Sequence, residues 1–256
     1  MQKTVDTKTI SAPGTSFSSE VKGEYTWDVS GKQKGANAQY SAELRRVVLR
    51  INGQNAVDET PASNEVQVQV DGKGRVIGVT GADTLAQGIV GRLPPEQQKT
   101  ARGLIDDAAK TAIAERFQLT VGDLEGRPTS LGSSWTISTP DGGPVRSKTW
   151  KVQGVEVCGS EQCLRVESSY DIDSAAISEQ LRGDLAGYLV DEDGAVHEVQ
   201  LSDVTVQARD SIVVEPNTLF LHSARFEQTA RVVMEQQGKR SPMLITQVRE
   251  LTTMPR

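Results

Sequence analysis

The residues best suited to chemistry in this chain are two cysteines and two histidines, and their spacing narrows what they can do. The cysteines lie in Cys158-Gly159-Ser160-Glu161-Gln162-Cys163. Strand-like text flanks both, from Trp150 to Val157 before and from Leu164 to Tyr170 after. A four-residue loop between two antiparallel strands brings its flanking residues face to face, with Cα atoms ~4.5–5.5 Å apart, within disulfide reach. The pattern predicts a structural disulfide between Cys158 and Cys163, and disulfides persist in oxidising compartments. A zinc site needs two more ligands. His197 and His222 stand at no zinc-ligand spacing, so no metal is expected. The spacing also excludes a Cys-x-x-Cys redox motif.

The histidines are the natural candidates for acid–base work. His222 falls in an alternating apolar phase between Phe220 and Ala224, which reads as a strand histidine. His197 follows the acidic turn Asp191-Glu192-Asp193-Gly194 and reads as exposed. No Gly-x-Ser-x-Gly elbow is present. Asp171 with Asp173, and Asp191 with Asp193, lack the further oxygens and closing Glu of a calcium loop; capping and turn formation account for them. Gly72-x-Gly74 has no helix after it, so it is not a phosphate loop. The sequence therefore offers no catalytic residues and no cofactor site, and an enzyme is not expected.

Charge points the same way. The net charge is -6, which gives no general attraction for nucleic acid or anionic lipid surfaces. Arg45, Arg46 and Arg50 form the one basic cluster singled out, and it reads as the solvent side of a strand. No stretch approaches the ~18 apolar residues of a membrane span. Met1 opens directly into polar text, Gln2 to Thr9, with no secretory leader. That fits either a cytosolic protein or a mature form whose leader was removed. The paired cysteines favour the exported form, in the bacterial periplasm or anchored at the outer membrane.

These residues need elements to position them. At 256 residues with 36% hydrophobic residues and only 4% aromatics, a core must rest on Val, Leu, Ile and Ala. Val dominates the periodic segments, as suits a pleated surface. Residues 1–14 read as a flexible tether or a weakly ordered first strand, and 15–256 as one β-rich domain. Strands are expected at 19–29, 39–52, 65–70, 75–80, 131–137, 146–157, 163–172, 199–208, 211–214, 218–236 and 243–252. The clearest hairpin joins Glu65–Val70 to Arg75–Thr80 through Asp71-Gly72-Lys73-Gly74. Near 84–118 the period becomes helical. Pro94 and Pro95 suit a first turn, and Ala101, Leu104, Ile105, Ala108, Ala109, Ala112, Ile113 and Phe117 share one stripe. A second, shorter helical insert is expected near 174–188, capped by Asp173 or Ser174. The fold class expected is α+β, mainly antiparallel β: a strongly curved sheet or half-open β-barrel with one long and one shorter helical insert.

Three passages in order carry a resemblance: Val70-Asp-Gly-Lys-Gly-Arg-Val-Ile-Gly-Val79, then Ser130-Leu131-Gly132-Ser133-Ser134-Trp135, then the cysteine hairpin from Trp150 to Val166. Over roughly residues 65–170 the chain resembles a family of uncharacterised bacterial envelope lipoproteins. In architecture it is similar to open-barrel lipoprotein carriers that hold acyl chains between a curved sheet and lid helices. The resemblance implies a mature lipoprotein whose acylated cysteine preceded residue 2, hence an N-terminal lipid anchor. It supplies no catalytic residues.

Two functions stand. One is a module binding a hydrophobic or lipid ligand, lined by Tyr25, Trp27, Leu104, Ile105, Ile113, Trp135, Phe220 and Phe226. The other is a structural envelope lipoprotein with a filled core that meets a protein partner. All of the lining candidates are also what an ordinary core would use.

Overall fold

A polar strand at the start of the chain joins the two halves of the molecule. In the computed structural model, Gln2–Ser11 form β1, paired throughout with β2 (Ser18–Lys34) on one edge and β12 (Lys239–Thr253) on the other. The structure describes residues 2–12, 18–34, 37–59, 65–71, 76–81, 83–84, 87–88, 91, 123–124, 126–138, 144–186, 200–217, 220–236 and 239–253. The tether expected over 1–14 is thus a central strand at 2–11. Lys, Thr and Asp alternate with few apolar groups there, so its composition conceals two fully satisfied hydrogen-bonding edges.

The remaining strands are β3 (Asn37–Ile51), β4 (Gln54–Glu59), β5 (Glu65–Val70), β6 (Val76–Thr80), β7 (Ser134–Ser138), β8 (Val145–Cys158), β9 (Glu161–Ile172), β10 (Gln200–Val214) and β11 (Leu221–Gln236). All twelve belong to one antiparallel sheet, ordered β6-β5-β3-β2-β1-β12-β11-β10-β9-β8-β7, with β4 paired to β3 off that path. Two meanders, one from each half of the chain, meet at β1 and β12.

This corrects the expected α+β class. The described chain is nearly all antiparallel β, and its sheet is open rather than a half-open barrel. Among the described residues, the terminal strands of the path, β6 and β7, are five residues each and pair only with their hairpin partners. Closure requires end strands to pair, and these do not. The long helix expected within 84–118, with Leu104, Ile105 and Ile113, lies outside the described residues. The shorter helix is present as α1 (Ser174–Ala186), the one helix of more than a turn among the described residues. Asp173 caps it, its Oδ1 accepting the N–H groups of Ala175 at 3.0 Å and Ala176 at 3.3 Å. Arg146, and then those two amides, hold the Asp173 carboxyl below the usual range.

Alternation places the apolar groups on one face. In β5, Val66, Val68 and Val70 are buried while Glu65 and Gln69 are exposed. Bulges keep that face apolar where simple alternation fails. In β3, Arg46 opposes Thr26 and Leu44 opposes Trp27, so Arg45 is an extra residue. The extra residue shifts the phase, and Leu44 and Val47 both end up buried. That explains why the sequence of this strand carries apolar groups in both phases. The opposite face is charged. Arg45 pairs with Asp28 and Glu43, Arg46 with Asp58, and Arg50 with Glu24. The basic cluster is thus a set of strand ion pairs.

Candidate functional site

Cross-strand partners share a face, so the register traces what runs across it. One row is Val152, Val166, Ile212, Ala224, Leu251, Thr4, Tyr25 and Val47, from β8 across to β3. All are buried except the half-buried Tyr25. The neighbouring row on the same face is Trp135, Trp150, Ser168, Asp210, Phe226, Arg249, Asp6 and Gly23. An apolar row therefore lies beside one that carries charges. Beyond them a second apolar cluster forms from Ala230, Val232, Met243 and Ile245, with Ile10 and, from α1, Leu181 against it.

The charged row has two centres. At the first, Lys148 Nζ lies 2.7 Å from Asp210 Oδ2 and 3.5 Å from Asp123 Oδ2. The same ammonium sits 4.0 Å from the Trp150 ring centroid and 5.2 Å from that of Tyr170, positions that favour cation–π attraction. The Tyr170 hydroxyl donates to Asp210 Oδ2, and the Asp210 N–H donates to Ser168 Oγ at 3.2 Å. Asp123 takes both neighbouring indoles: Trp150 Nε1 donates to its carboxylate at 3.1 Å and Trp135 Nε1 to its carbonyl at 3.0 Å. Every group in this cluster has a partner, as burial demands.

At the second centre Arg249 Nε donates to Asp6 Oδ1 at 2.5 Å. Tyr25 lies beside this pair, with its ring over Gly23: a Cβ built on Gly23 would fall 2.5 Å from the Tyr25 hydroxyl oxygen. Burial, and then the Asp6 carboxylate, push the phenol up to about 12.

The Lys148 ammonium is bound by carboxylates, and Arg249 is bound by Asp6. Chemically the arrangement can hold elements in place and present a polar line beside an apolar one. It pins residues 123–124 to the sheet, where Leu124 joins the core of Trp150, Val152, Val166 and Ile212.

The expected lining residues fall into three groups. Trp135 and Phe226 come together, both packed on that core cluster. Tyr25 shares its face, four strands from β10 across β1, β12 and β11. Trp27 pairs in register with Leu44 and Gln2 on β2. Phe220 is not with them. It precedes β11, is 39% exposed, and meets the His222 ring edge-on at 5.0 Å. Lys148, Asp123 and Asp210 were missed because each reads alone as an ordinary surface charge. A cavity of about 290 Å³ opens near Asp203, Arg231, Val232, Pro242 and Met243, at the lower end of small-molecule pockets.

The expected disulfide is formed, Cys158 to Cys163 with Cα atoms 5.9 Å apart. It lies on the hairpin of β8 and β9. His222 is nearby, its ring nitrogen and the two sulfurs all within 4.8 Å of one another.

No family model and no curated protein matches the chain. Among solved structures it is similar to lipovitellin, in a structure described for its lipid–protein interactions. The identity is 13% and the TM-score 0.55, over 99% of this chain and 25% of that one. The chain therefore spans about a quarter of the lipovitellin chain. It also aligns with DynF of the dynemicin pathway of Micromonospora chersina (8% identity, TM-score 0.22, 100% and 80% coverage). A DUF1329 family protein from Desulfovibrio piger aligns at 9% identity and TM-score 0.17, over 96% and 82%. Of these three, the lipovitellin likeness bears on the fold, which the two chains share over this length. No described helix is long and apolar enough to cross a membrane.

Proposed function

We propose that this chain binds a hydrophobic or lipid ligand on the apolar face of its sheet, as an exported protein of the bacterial envelope. The carrying observation is the mainly apolar row from Val152 to Val47, interrupted by Thr4 and the Tyr25 phenol, which crosses eight strands beside a row that carries charges. An amphipathic ligand matches that division: acyl carbons along the first row, a head group toward Arg249 and Lys148. Burial of an acyl chain contributes about 0.8 kcal/mol per CH₂, so such a face favours long chains. The likeness to lipovitellin, a protein described for its lipid–protein interactions, supports this reading. The disulfide supports an oxidising compartment.

A second reading has support of its own. Val66, Val68, Trp150 and Ile212 are fully buried and the cavity near Met243 is small, as in a filled structural lipoprotein. Tryptophan quenching by a brominated fatty acid separates the two. Saturable quenching that weakens in Trp135→Phe supports ligand binding on this face. Emission unchanged by the probe favours the structural protein.

A further inference from the structure

His222 is the extra residue of a β-bulge. Val213 opposes Ser223 and Val214 opposes Leu221, which leaves His222 without a register partner on β10. Bulges of this kind re-aim a side chain, and here the ring reaches the disulfide. Its Nε2 lies 2.8 Å from Glu215 Oε1. With Nε2 donating to Glu215, Nδ1 is the nitrogen left for a further partner. A carboxylate behind an imidazole is the usual support of a metal-bound histidine.

We propose that Cys158, Cys163 and His222 form a redox-gated site for a soft divalent cation such as Zn²⁺. The Cys-x₄-Cys spacing falls within the two to four intervening residues usual between paired zinc-ligating cysteines. Zn–S bonds of about 2.3 Å place two sulfurs ~3.8 Å apart in a tetrahedron, and the two cysteine Cα atoms here lie 5.9 Å apart. Cys163 is fully buried, whereas Cys158 and His222 are half-buried, so the site is open on one side. Three protein ligands leave a fourth position for water. Glu215 orients the histidine.

A dithiol donor opens the site. Its thiolate attacks Cys158 Sγ, the accessible sulfur, forming a mixed disulfide, and Cys163 leaves as thiolate. The donor's second thiolate then closes the donor's own disulfide and releases Cys158. Two electrons pass to the protein. When the cation binds both sulfurs as thiolates, the two thiol protons go to solvent. The oxidised protein cannot bind this way, because both sulfurs are spent in their mutual bond. The site does not depend on the lipid reading.

The test is Co²⁺ titration of the full chain, reduced with a dithiol that is then removed by gel filtration under nitrogen. Reduced protein is expected to bind one Co²⁺ with thiolate-to-cobalt charge-transfer absorption, lost when Zn²⁺ displaces it. Oxidised protein is expected to show none. His222→Ala and Cys158→Ser should each weaken binding at least ~10-fold, and Glu215→Gln about 10-fold. Circular dichroism of each variant confirms that the sheet is retained. Absence of the charge-transfer band, unchanged affinity in both His222→Ala and Glu215→Gln, or loss of the sheet on reduction would each overturn the proposal.

Discussion

Trp150 donates its indole N–H to the Asp123 carboxylate at 3.1 Å, a bond that helps tie strand β8 to a segment 27 residues earlier. Trp150 is fully buried, so the bond is shielded from water. The same carboxylate faces Lys148, whose ammonium also faces Asp210. The cluster is held by mutual satisfaction, and its stability contribution depends on leaving no member alone.

Lys148→Met tests this. It leaves Asp123 and Asp210 without their shared cation. Breaking a buried ion pair from one side costs about 3–5 kcal/mol. Urea unfolding of the variant should show a loss of that order. Lys148→Met with Asp210→Asn should lose less than the sum of the two single losses, because one of the two carboxylates left without the cation is neutralised. Additive losses would show that the groups act independently.

Burial should separate two apolar truncations. Ile212 is fully exposed to neighbours and not to solvent, at 0% accessibility, whereas Val157 is 81% accessible. Ile212→Ala should cost about 2–5 kcal/mol. Val157→Ala should change stability by less than about 0.5 kcal/mol. Chemical denaturation of both variants measures the difference, and equal costs would contradict the assignment of the apolar face.

Acid should remove a contribution from the charged face. Hydrogen bonds from Arg50 and then Lys3 lower Glu24 from 4.5 to about 2. A depressed carboxylate pKa stabilises the fold above its unfolded value, and that contribution disappears as pH falls from about 4.5 through about 2. Glu24→Gln should flatten the stability profile in that window. A profile identical to wild type would contradict the pairing.

Alkali should act at Tyr25. Its phenol is raised from 10.0 to about 12 by burial, so the protonated form is favoured in the folded state. The stabilisation is complete below pH 10 and is lost as pH rises through about 12. Gly23→Ala places a methyl where the Tyr25 ring end lies. It should cost about 1–3 kcal/mol by overpacking and lower the phenol pKa toward 10. Ultraviolet titration of tyrosinate, compared with Tyr25→Phe, reads both effects.

Local features of the sequence translated well into structure, and distant ones did not. The β5–β6 hairpin, the cysteine hairpin and α1 are each written in contiguous alternation, turn residues or a cap. Strand β1 is polar, and its partner β12 lies at the far end of the chain, so nothing local marks it. The Arg45 bulge mixes the two phases of β3 and hides which face is buried. Lys148 and Asp210 converge through pairing of β8, β9 and β10, and Asp123 joins them through the Trp135 and Trp150 indoles. His222 reaches Cys158 and Cys163 only through its bulge and the contact of two hairpin ends. Of the proposed lining, Trp135 and Phe226 were chosen as strand aromatics and do meet one cluster, while Phe220 turned to His222 instead.

The most direct test of ligand binding is native mass spectrometry of freshly purified protein, followed by organic extraction and lipid analysis of the same sample. The apolar row predicts a bound acyl species of defined mass, released by the solvent and absent after delipidation. A bare chain mass, with no thermal shift from added fatty acids or phospholipids, would contradict it.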